Sequence, residues 1–222
     1  MAKQYKKGLP DAVGPGSDPK PNLLRELSAE ELARLSQQGC RASFAELVER
    51  YGIRLFRFLR YKTDSLQDTE DLVQDTFVKA YENIHRYKDS WKFSTWLFTI
   101  AVRLAYSHFR RSRSFQTVVD VELDGQEPGQ MLAEKETQQN LWILAGNLSR
   151  NQYQALWLKY RQDMSIKEIA LVLRKSQVNV KVLLYRARIN LAKKLQKVSV
   201  DNDLAGQTSP KEILSFMKVE GA

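Results

Sequence analysis

The chain has 222 residues, and its 35 lysines and arginines outnumber its 26 acidic residues to give a formal net charge of +9. This length, with 43% hydrophobic residues, is enough for two small domains that each have their own core. The positive charge indicates an acidic polymer as one partner. The single cysteine, Cys40, excludes an internal disulfide and is expected to be a small buried residue.

Other classes of protein are also disfavoured. The sequence has no run of eighteen apolar residues and no signal-like start, so nothing directs it into or across a membrane. Its two histidines, His85 and His108, do not stand at metal-ligand spacing from cysteines or carboxylates. No glycine-rich phosphate loop or nucleophile elbow is present. We therefore expect a protein that is not an enzyme, without metal or cofactor, in which His108 packs in a core.

The first sixty residues pass from an arm to helices. Residues 1–22 hold four of the six prolines and are predicted to be a disordered arm. From Leu23 the pattern is helical, and the pairs Ser28 with Glu31 and Ser43 with Glu46 fit capping boxes at two helix starts. A helix-period stripe should complete the first core: Phe44, Leu47, Val48, Tyr51, Leu55, Phe58 and Leu59.

An acidic helix follows in TEDLVQDTFVKAYENI. Its apolar residues recur at spacings of four, three and four and should be buried: Val73, Phe77, Ala80 and Ile84. Asp68, Asp71 and Asp75 fall on the opposite side, with Gln74 beside them. Asp68 is close enough to the helix start to complement the helix dipole. Asp71 and Asp75 lie further along, where either a solvated face or a basic partner surface would explain them.

The next helix, in WKFSTWLFTIAVRLAYSHFRRSR, has two different faces. Ser94 is predicted to cap it, and its apolar stripe is Leu97, Ile100, Ala101, Leu104 and Ala105. The other face carries Trp96, Thr99, Arg103, Tyr106, Ser107 and Arg110, and the preceding residues Trp91, Lys92 and Phe93 extend it. Aromatic rings with guanidinium groups can stack on unpaired bases and neutralise phosphates. The alternative is that Trp96 packs on a neighbouring domain.

These two helices together resemble the second conserved region of bacterial RNA polymerase sigma factors, in the extracytoplasmic-function (ECF) group. The segments that carry the resemblance are DTEDLVQDTFVKAYENI and FSTWLFTIAVRLAYSHFRR. The resemblance implies that Asp71, Gln74, Asp75 and Phe77 bind the coiled-coil clamp of the polymerase core. It also implies that the loop from Tyr87 to Phe93 and the helix from Ser94 to Arg111 read and open the minus-ten promoter element. The residues that would do so are Trp91, Lys92, Phe93, Trp96, Arg103, Tyr106, Ser107, Arg110 and Arg111.

Two of these positions depart from the family pattern. The family usually has Asn where this chain has Arg103 and Asp where it has Ser107. The minus-ten sequence preference of relatives therefore does not transfer to this chain.

The second half predicts a helix-turn-helix. The pairs Ser149 with Gln152 and Ser165 with Glu168 fit capping boxes. A short amphipathic helix holds Ile166, Ile169, Ala170 and Leu173, and a break at Arg174 to Ser176 leads into a longer helix. The apolar stripe of that last helix is Val180, Leu184, Ala187, Leu191 and Leu195. Nine basic residues against one acidic residue between Ser165 and Lys197 suit a phosphate backbone, although a solvated helical hairpin is the alternative.

The outward face of the last helix has groups that can read bases. Asn179 and Arg186 can hydrogen-bond base edges, and Val178, Val182 and Ile189 are apolar. This stretch resembles the fourth conserved region of the same family, which recognises the minus-thirty-five element. The residues implied are Ser176, Gln177, Asn179, Lys181, Val182 and Arg186. The turn departs from the family, because Arg174 and Lys175 stand where relatives often have Gly and an apolar residue, and a left-handed residue there would be strained.

The remaining segments connect or extend these domains. Residues 112–136 carry six acidic and two basic residues and are predicted to be a flexible linker between a domain at 23–111 and one at 137–197. The tail at 198–222 lies beyond the resemblance, and its KEILSFMKV piece fits a short amphipathic helix.

We therefore expect an all-α protein of two small helical domains, one a sigma region 2 bundle and the other a sigma region 4 helix-turn-helix. The expected function is that of a cytoplasmic sigma factor that binds core RNA polymerase and both duplex and melted promoter DNA. The resemblance adds an anti-sigma factor as a candidate partner. One alternative is a stand-alone helix-turn-helix regulator, which would bind a palindrome as a dimer. The other is a sigma-like protein that acts through protein contacts alone.

Overall fold

A computed structural model describes residues 21–60, 63, 65–112 and 141–201, with the backbone alone at 21, 22, 111, 112 and 195–201. These residues form helices joined by turns, which confirms the all-α prediction. The helices are α1 (Pro21–Glu26), α2 (Ala29–Gln37), α3 (Arg41–Arg60), α4 (Leu66–Glu82), a 3-10 turn (Ile84–Arg86), α5 (Phe93–Ser112), α6 (141–146), α7 (Arg150–Tyr160), α8 (Ile166–Leu173) and α9 (Gln177–Asp201). The predictions for the arm at 1–20, the linker at 113–136 and the tail after Asp201 lie outside the described residues.

The first domain is a bundle in which α3 packs on α2 and α4, and α4 packs on α5. The predicted stripe of α3 is buried, apart from the half-buried Val48. Phe58 of α3 meets Phe98 of α5 edge to face, with 5.0 Å between the ring centroids. Of the α4 stripe, Phe77, Ala80 and Ile84 are buried. Truncating a buried side chain of this size to alanine typically costs about 2–5 kcal/mol, so this core fixes the orientation of α4 and α5.

The second domain is the predicted helix-turn-helix. Helix α8 ends at Leu173, Arg174 adopts a left-handed conformation with φ 52° and ψ 47°, and α9 begins at Gln177. The α9 residues Val180, Leu184, Ala187 and Leu191 are buried as predicted, while the side chain of Leu195 lies outside the described residues. Because α8 and α9 both pack on α7, the outward face of α9 is held away from the core.

Two of the four predicted capping boxes form, at Ser28 with Glu31 and at Ser165 with Glu168. At Ser149 the predicted helix start is confirmed, because this residue is the N-cap of α7, but its side chain makes no capping bond. The prediction for Ser43 is wrong, because α3 already begins at Arg41. The Ser43 hydroxyl donates instead to the Sγ atom of the half-buried Cys40 at 3.0 Å.

Two other local predictions need correction. Helix α5 begins at Phe93, so Ser94 lies inside the helix and does not cap it. The backbone N–H of Phe93 donates instead to Oε1 of Glu30 at 2.9 Å, which supplies a partner from α2. His108 is not a core residue, because its side chain is 30% exposed and its Nε2 lies 3.8 Å from Oδ2 of Asp68. The helix turns the ring toward the start of α4 rather than into the apolar centre.

The two domains pack directly against each other along α5 and α8. Within this contact, the Thr95 hydroxyl donates to Oε1 of Glu168 at 2.9 Å, and both side chains are buried. The sequence gives no local signal for this contact, because the partners are 73 residues apart.

Candidate nucleic-acid and protein interfaces

Helix α4 presents an exposed acidic face, formed by Asp71, Gln74 and Asp75. The Ser65 hydroxyl caps the helix by accepting from the N–H of Asp68 at 2.9 Å. Gln67 donates from Nε2 to Oδ1 of Asp71 at 3.0 Å, which holds that carboxylate one turn into the helix. An exposed carboxylate pair of this kind suits a basic protein surface.

Two further α4 residues, Phe77 and Val78, differ in whether they reach the acidic face. Phe77, which the resemblance placed in the same contact, is 7% exposed and packs in the first core. Val78 is exposed and lies on the same side as Asp71 and Asp75, at spacings of seven and three residues. Val78 was not among the predicted contact residues, although its spacing from the two aspartates is a signal in the sequence. The acidic face therefore has an apolar residue at its edge.

The loop from Tyr87 to Phe93 separates two kinds of aromatic residue. Phe93 is completely buried, and its ring centroid lies 5.5 Å from that of Tyr51 and 5.7 Å from that of Tyr87. Trp91 and Trp96 are only partly buried. The Phe93 ring therefore anchors the loop in the core, while the two indole rings remain partly accessible.

Hydrogen bonds fix the shape of this loop. Nε2 of Gln37 donates to the carbonyl oxygens of Ile84 and Tyr87 at 2.9 and 2.8 Å. The Tyr87 hydroxyl donates to the carbonyl oxygen of Trp91 at 2.8 Å. Trp96 packs within its own domain, with 5.5 Å between its ring centroid and that of Tyr87. A loop held in this way presents Trp91 and the exposed Lys92 with little freedom to rearrange.

Helix α5 carries the remaining predicted minus-ten residues. Arg103, Tyr106 and Arg110 are exposed and Ser107 is partly exposed, whereas the side chain of Arg111 is outside the described part of the chain. Thr99, predicted to face solvent, is buried. It lies one turn from Thr95 on the face that meets the second domain, and its hydroxyl donates to the Thr95 carbonyl oxygen at 2.7 Å.

The second domain contributes Glu168 to the contact between α5 and α8. Burial raises the pKa of the Glu168 carboxyl, but hydrogen bonds from the Ser165 backbone and hydroxyl and from Thr95 outweigh it, so the pKa is lowered from 4.5. Burial lowers the pKa of the Arg103 guanidinium, and the nearby charge of Arg174 adds to this effect. The contact therefore joins a buried carboxylate to a threonine and brings two arginines toward each other.

The residues predicted to read the minus-thirty-five element lie on the outward face of α9 and at Ser176, the residue before it. All six are exposed: Ser176, Gln177, Asn179, Lys181, Val182 and Arg186. The Ser176 hydroxyl accepts from the N–H of Asn179 at 3.2 Å and so satisfies one donor at the helix start. Val178 is 71% exposed and Tyr185 is 64% exposed on the same helix. Tyr185 was missed by the sequence analysis, although it lies three residues after Val182 on the same face.

In the described part of the chain, no three side chains among His, Cys, Asp and Glu are arranged to hold a metal ion. Among the same residues, no helix is both long enough and apolar enough to span a bilayer.

Comparison with known proteins matches both domains to families. The model of Sigma-70 region 2 matches residues 47–115, and that of Sigma-70 region 4 matches residues 141–191. The ECF RNA polymerase sigma factor SigM of Bacillus subtilis is 32% identical over 156 residues, which cover 66% of this chain and 91% of SigM. The ECF RNA polymerase sigma factor BldN of Streptomyces coelicolor is 30% identical over 171 residues, which cover 74% of this chain and 65% of BldN.

Two solved structures share the fold. CnrH, in complex with the cytosolic domain of CnrY, has a TM-score of 0.56 at 25% identity, over 76% of this chain and 97% of CnrH. RpoE of Bartonella quintana, in complex with the anti-sigma factor NepR, has a TM-score of 0.57 at 24% identity, over 69% of this chain and 96% of RpoE.

Proposed function

The chain belongs to the ECF group of bacterial RNA polymerase sigma factors, and we propose that it directs core RNA polymerase to promoters through three surfaces. The observation that carries this proposal is the order of those surfaces. An acidic face on α4 is followed by the loop from Tyr87 to Phe93, here called the aromatic loop, and by α5. The basic helix-turn-helix comes last. A stand-alone regulator would need only the last of them. In this proposal RNA synthesis belongs to the polymerase, and the chain works with it in the cytoplasm without chemistry of its own.

The acidic face binds the core. Asp71 and Asp75 are exposed and lie one turn apart, so both can reach one basic surface of a partner. Gln74 extends the contact by hydrogen bonding, and Val78 gives it an apolar edge. Phe77 contributes by holding α4 on the core of its own domain. Charge complementarity of this kind speeds association and disfavours wrong partners.

The aromatic loop and α5 capture the minus-ten element as its strands separate. Trp91 and Trp96 supply rings for stacking, while Lys92, Arg103 and Arg110 supply charge for phosphates. Stacking contributes about 1–3 kcal/mol per base, and unstacking a duplex step costs a few kcal/mol, so a few such contacts favour opening without ATP. Tyr106 and Ser107 lie on the same helix and add hydrogen-bonding groups.

Helix α9 binds the minus-thirty-five element in the major groove. Asn179 and Arg186 hydrogen-bond base edges, Val182 contacts a thymine methyl group, and Lys181 contacts phosphate. Ser176 and Gln177 lie at the start of α9, where recognition helices make many of their contacts. Support comes from the exposure of all six side chains.

A regulatory protein is a further partner under this proposal. CnrH, which shares the fold, is in complex with the cytosolic domain of CnrY. For this chain we infer a protein partner as well, the anti-sigma factor that the family resemblance implies, which competes with core polymerase or with DNA.

The proposal is tested by retention of DNA on polymerase. Fragments of the source genome are mixed with core polymerase and the chain, challenged with heparin, and the retained fragments are sequenced. A sigma factor retains fragments with two shared elements only when core and chain are both present. Retention by the chain alone, on palindromic fragments, identifies a stand-alone regulator instead and would refute the proposal.

A further inference from the structure

Helix α9 carries exposed apolar side chains that the proposed DNA contact does not account for. They recur at spacings of four, three and four residues and are here called the exposed stripe: Val178, Val182, Tyr185 and Ile189. At about 100° per residue they fall within an arc of roughly 60°, on the side of α9 away from its buried residues. Only Val182 has a role in the proposed promoter contact.

The exposed stripe has the pattern of a surface that packs on another helix. Alternating steps of four and three residues are the heptad spacing by which one helix lies along another. Recognition helices contact bases mainly through their N-terminal residues. Tyr185 and Ile189 lie two and three turns beyond Val178, so an apolar partner explains them better than base readout does.

Basic side chains border the exposed stripe. Lys181 lies on one side of it, and Arg186 and Lys193 lie on the other, and all three are exposed. The sequence from Gln177 to Lys194 contains no acidic residue. A helix that fits this surface therefore needs an apolar face bordered by acids.

The sequence after α9 contains a segment of this kind. Residues 202–222 lie outside the described residues, and their sequence includes Ser209, Pro210, Lys211 and Glu212 in succession. Serine and glutamate stand at the spacing of a capping box, and proline takes the first helical position, where it is favoured. The sequence therefore predicts a short helix over residues 210–220, here called the tail segment.

The tail segment is amphipathic in the sense that the exposed stripe requires. A helical projection places its apolar residues together on one face: Ile213, Leu214, Phe216 and Met217. Glu212 falls at the edge of this face and Glu220 at its C-terminal end, whereas Lys211 and Lys218 fall on the opposite side. The acids therefore accompany the apolar face and the lysines do not.

The connecting chain is long enough for the tail segment to lie antiparallel on α9. Helix α9 ends at Asp201, about 18 Å beyond Ile189 along the helix axis. Packed helices lie about 8–10 Å apart, so a return to Ile189 needs roughly 20 Å. Residues 202–209 connect the two segments, and an extended chain of this length spans up to about 26 Å.

We propose that the tail segment docks antiparallel on the exposed stripe of α9 and competes with promoter DNA for this face of the helix. In this arrangement Ile213 and Met217 pack near Ile189 and Tyr185, and the tail covers Val182. The competition rests on the proposed function, because it regulates the same minus-thirty-five surface. The docking itself does not depend on that function.

Charge supports the antiparallel direction. With Ile213 near Ile189, Glu212 comes close to Lys193, and Glu220 comes close to Lys181 at the other end of the contact. Both pairs join opposite charges at the border of an apolar seam, as in paired helices. The docked acids also lower the positive potential that α9 offers to phosphates.

The tether makes even a weak contact sufficient. A short flexible linker gives an effective concentration in the millimolar range. A contact with a Kd of about 0.1 mM would then be formed in about nine chains of ten. If DNA binds only the undocked chain, its apparent affinity falls by about tenfold.

The chain offers a matched pair of variants in the tail segment. Met217→Asp places a carboxylate at the centre of the apolar face. Val219→Asp makes the same kind of change on the far side of the predicted helix, so it controls for the added charge. Ile189→Ser tests the contact from α9. Neither Met217 nor Ile189 has a role in the proposed promoter contact.

The first readout is the distance from the tail segment to the helix-turn-helix in the full chain. Cys40 is replaced by serine, and spin labels are placed on cysteines introduced at the exposed Leu171 of α8 and at Lys218. A docked tail should give one narrow distance distribution. Met217→Asp and Ile189→Ser should broaden it, whereas Val219→Asp should match the parent protein. A broad distribution in the parent protein, folded by circular dichroism, would overturn the docking.

Dilution distinguishes the tail from a second copy of the chain as the occupant. The doubly labelled chain is mixed with an excess of unlabelled chain. Docking within one chain leaves the narrow distribution unchanged. Loss of the narrow distribution on dilution would assign the exposed stripe to a contact between copies and would overturn the proposal.

The second readout is binding of a fluorescent random-sequence duplex without polymerase. Met217→Asp should bind it up to about tenfold more tightly than Val219→Asp, which carries the same added charge. Equal affinities of the two variants would overturn the competition with DNA.

Neither readout requires polymerase, so the result is separate from failure of the proposed function. If the parent protein gives no promoter-dependent transcripts, the proposed function fails. The label distances still report whether the tail segment docks on α9.

Discussion

The Thr95 hydroxyl on α5 and the Glu168 carboxylate on α8 form a buried hydrogen bond of 2.9 Å between the two domains. The other oxygen of Glu168 accepts from the N–H and the hydroxyl of Ser165 at 2.8 and 2.7 Å. One side chain therefore caps the first helix of the helix-turn-helix and also fixes that helix on the neighbouring domain. A change at Glu168 should affect both the local helix and the domain contact.

Glu168→Gln should lower the free energy of unfolding of the second domain by about 1–3 kcal/mol, because an amide replaces an ionised acceptor of three hydrogen bonds. Urea denaturation followed by circular dichroism measures this change. Glu31→Gln is the matched control, since Glu31 has the same capping role at Ser28 and its hydrogen bonds lie within its own domain. Equal losses in the two variants would show that the Thr95 bond contributes nothing to stability.

The same carboxylate should make stability depend on pH. The pKa of Glu168 in the folded chain is lowered from 4.5, so its contribution is fully present above that unfolded value. The contribution is lost as the pH falls through the folded pKa. We expect the stability difference between the parent protein and Glu168→Gln to shrink as the pH is lowered below 4.5. A difference that stays constant in acid would contradict the assignment of an ionised Glu168.

Phe93 and Trp91 should behave differently when replaced by alanine, although they are two residues apart. Phe93→Ala should cost about 3–5 kcal/mol of stability, because the ring is completely buried against Tyr51 and Tyr87. Trp91→Ala should change stability by no more than about 1 kcal/mol, since the indole is partly exposed.

Promoter opening, unlike stability, should depend directly on Trp91. Permanganate reactivity of thymines in the minus-ten element reports unpaired bases in the polymerase complex. Trp91→Ala should reduce this reactivity while duplex retention stays close to that of the parent. Equal loss of duplex retention and opening would argue against a stacking role for Trp91.

The turn of the helix-turn-helix stores a measurable strain. Arg174 has φ 52° and ψ 47°, a conformation that glycine adopts at lower cost. Arg174→Gly should therefore raise the free energy of unfolding by about 0.5–1 kcal/mol in urea. Arg174→Ala is the control, because it removes the same charge and keeps a Cβ atom. If both variants are stabilised equally, the gain comes from charge rather than from backbone strain.

The sequence predicted those parts of the fold that depend on local periodicity. The buried stripe of α3, the stripe of α9 and the break at Arg174 follow from spacing alone, and the structure confirms them. Serine followed three residues later by Glu or Gln was a weaker signal. It succeeds at Ser28 and Ser165, but α3 begins before Ser43, and Ser149 makes no capping bond. The pair therefore placed the helix start correctly at Ser149 without forming the box, and misplaced it only at Ser43.

Contacts between distant segments were beyond local reasoning. Phe93 is an aromatic residue at the start of α5, which fits base stacking as well as burial, and only the packing of Tyr51 and Tyr87 decides between them. The helical projection of α5 puts Thr99 on the solvent side, because a projection of one helix has no information about α8. The resemblance identified the acidic face, but Phe77 belongs to the core side of α4 and Val78 to the exposed side.

Run-off transcription with purified bacterial core polymerase on source-genome fragments tests the central claim most directly. We predict new transcripts that require the chain, that disappear in the double variant Asp71→Lys with Asp75→Lys, and that persist in Glu49→Lys. Glu49 is an exposed acid on α3, away from the acidic face of α4, so it controls for a general change of charge. The absence of any chain-dependent transcript, when the protein is folded and its cognate core is used, would contradict the assignment of a sigma factor.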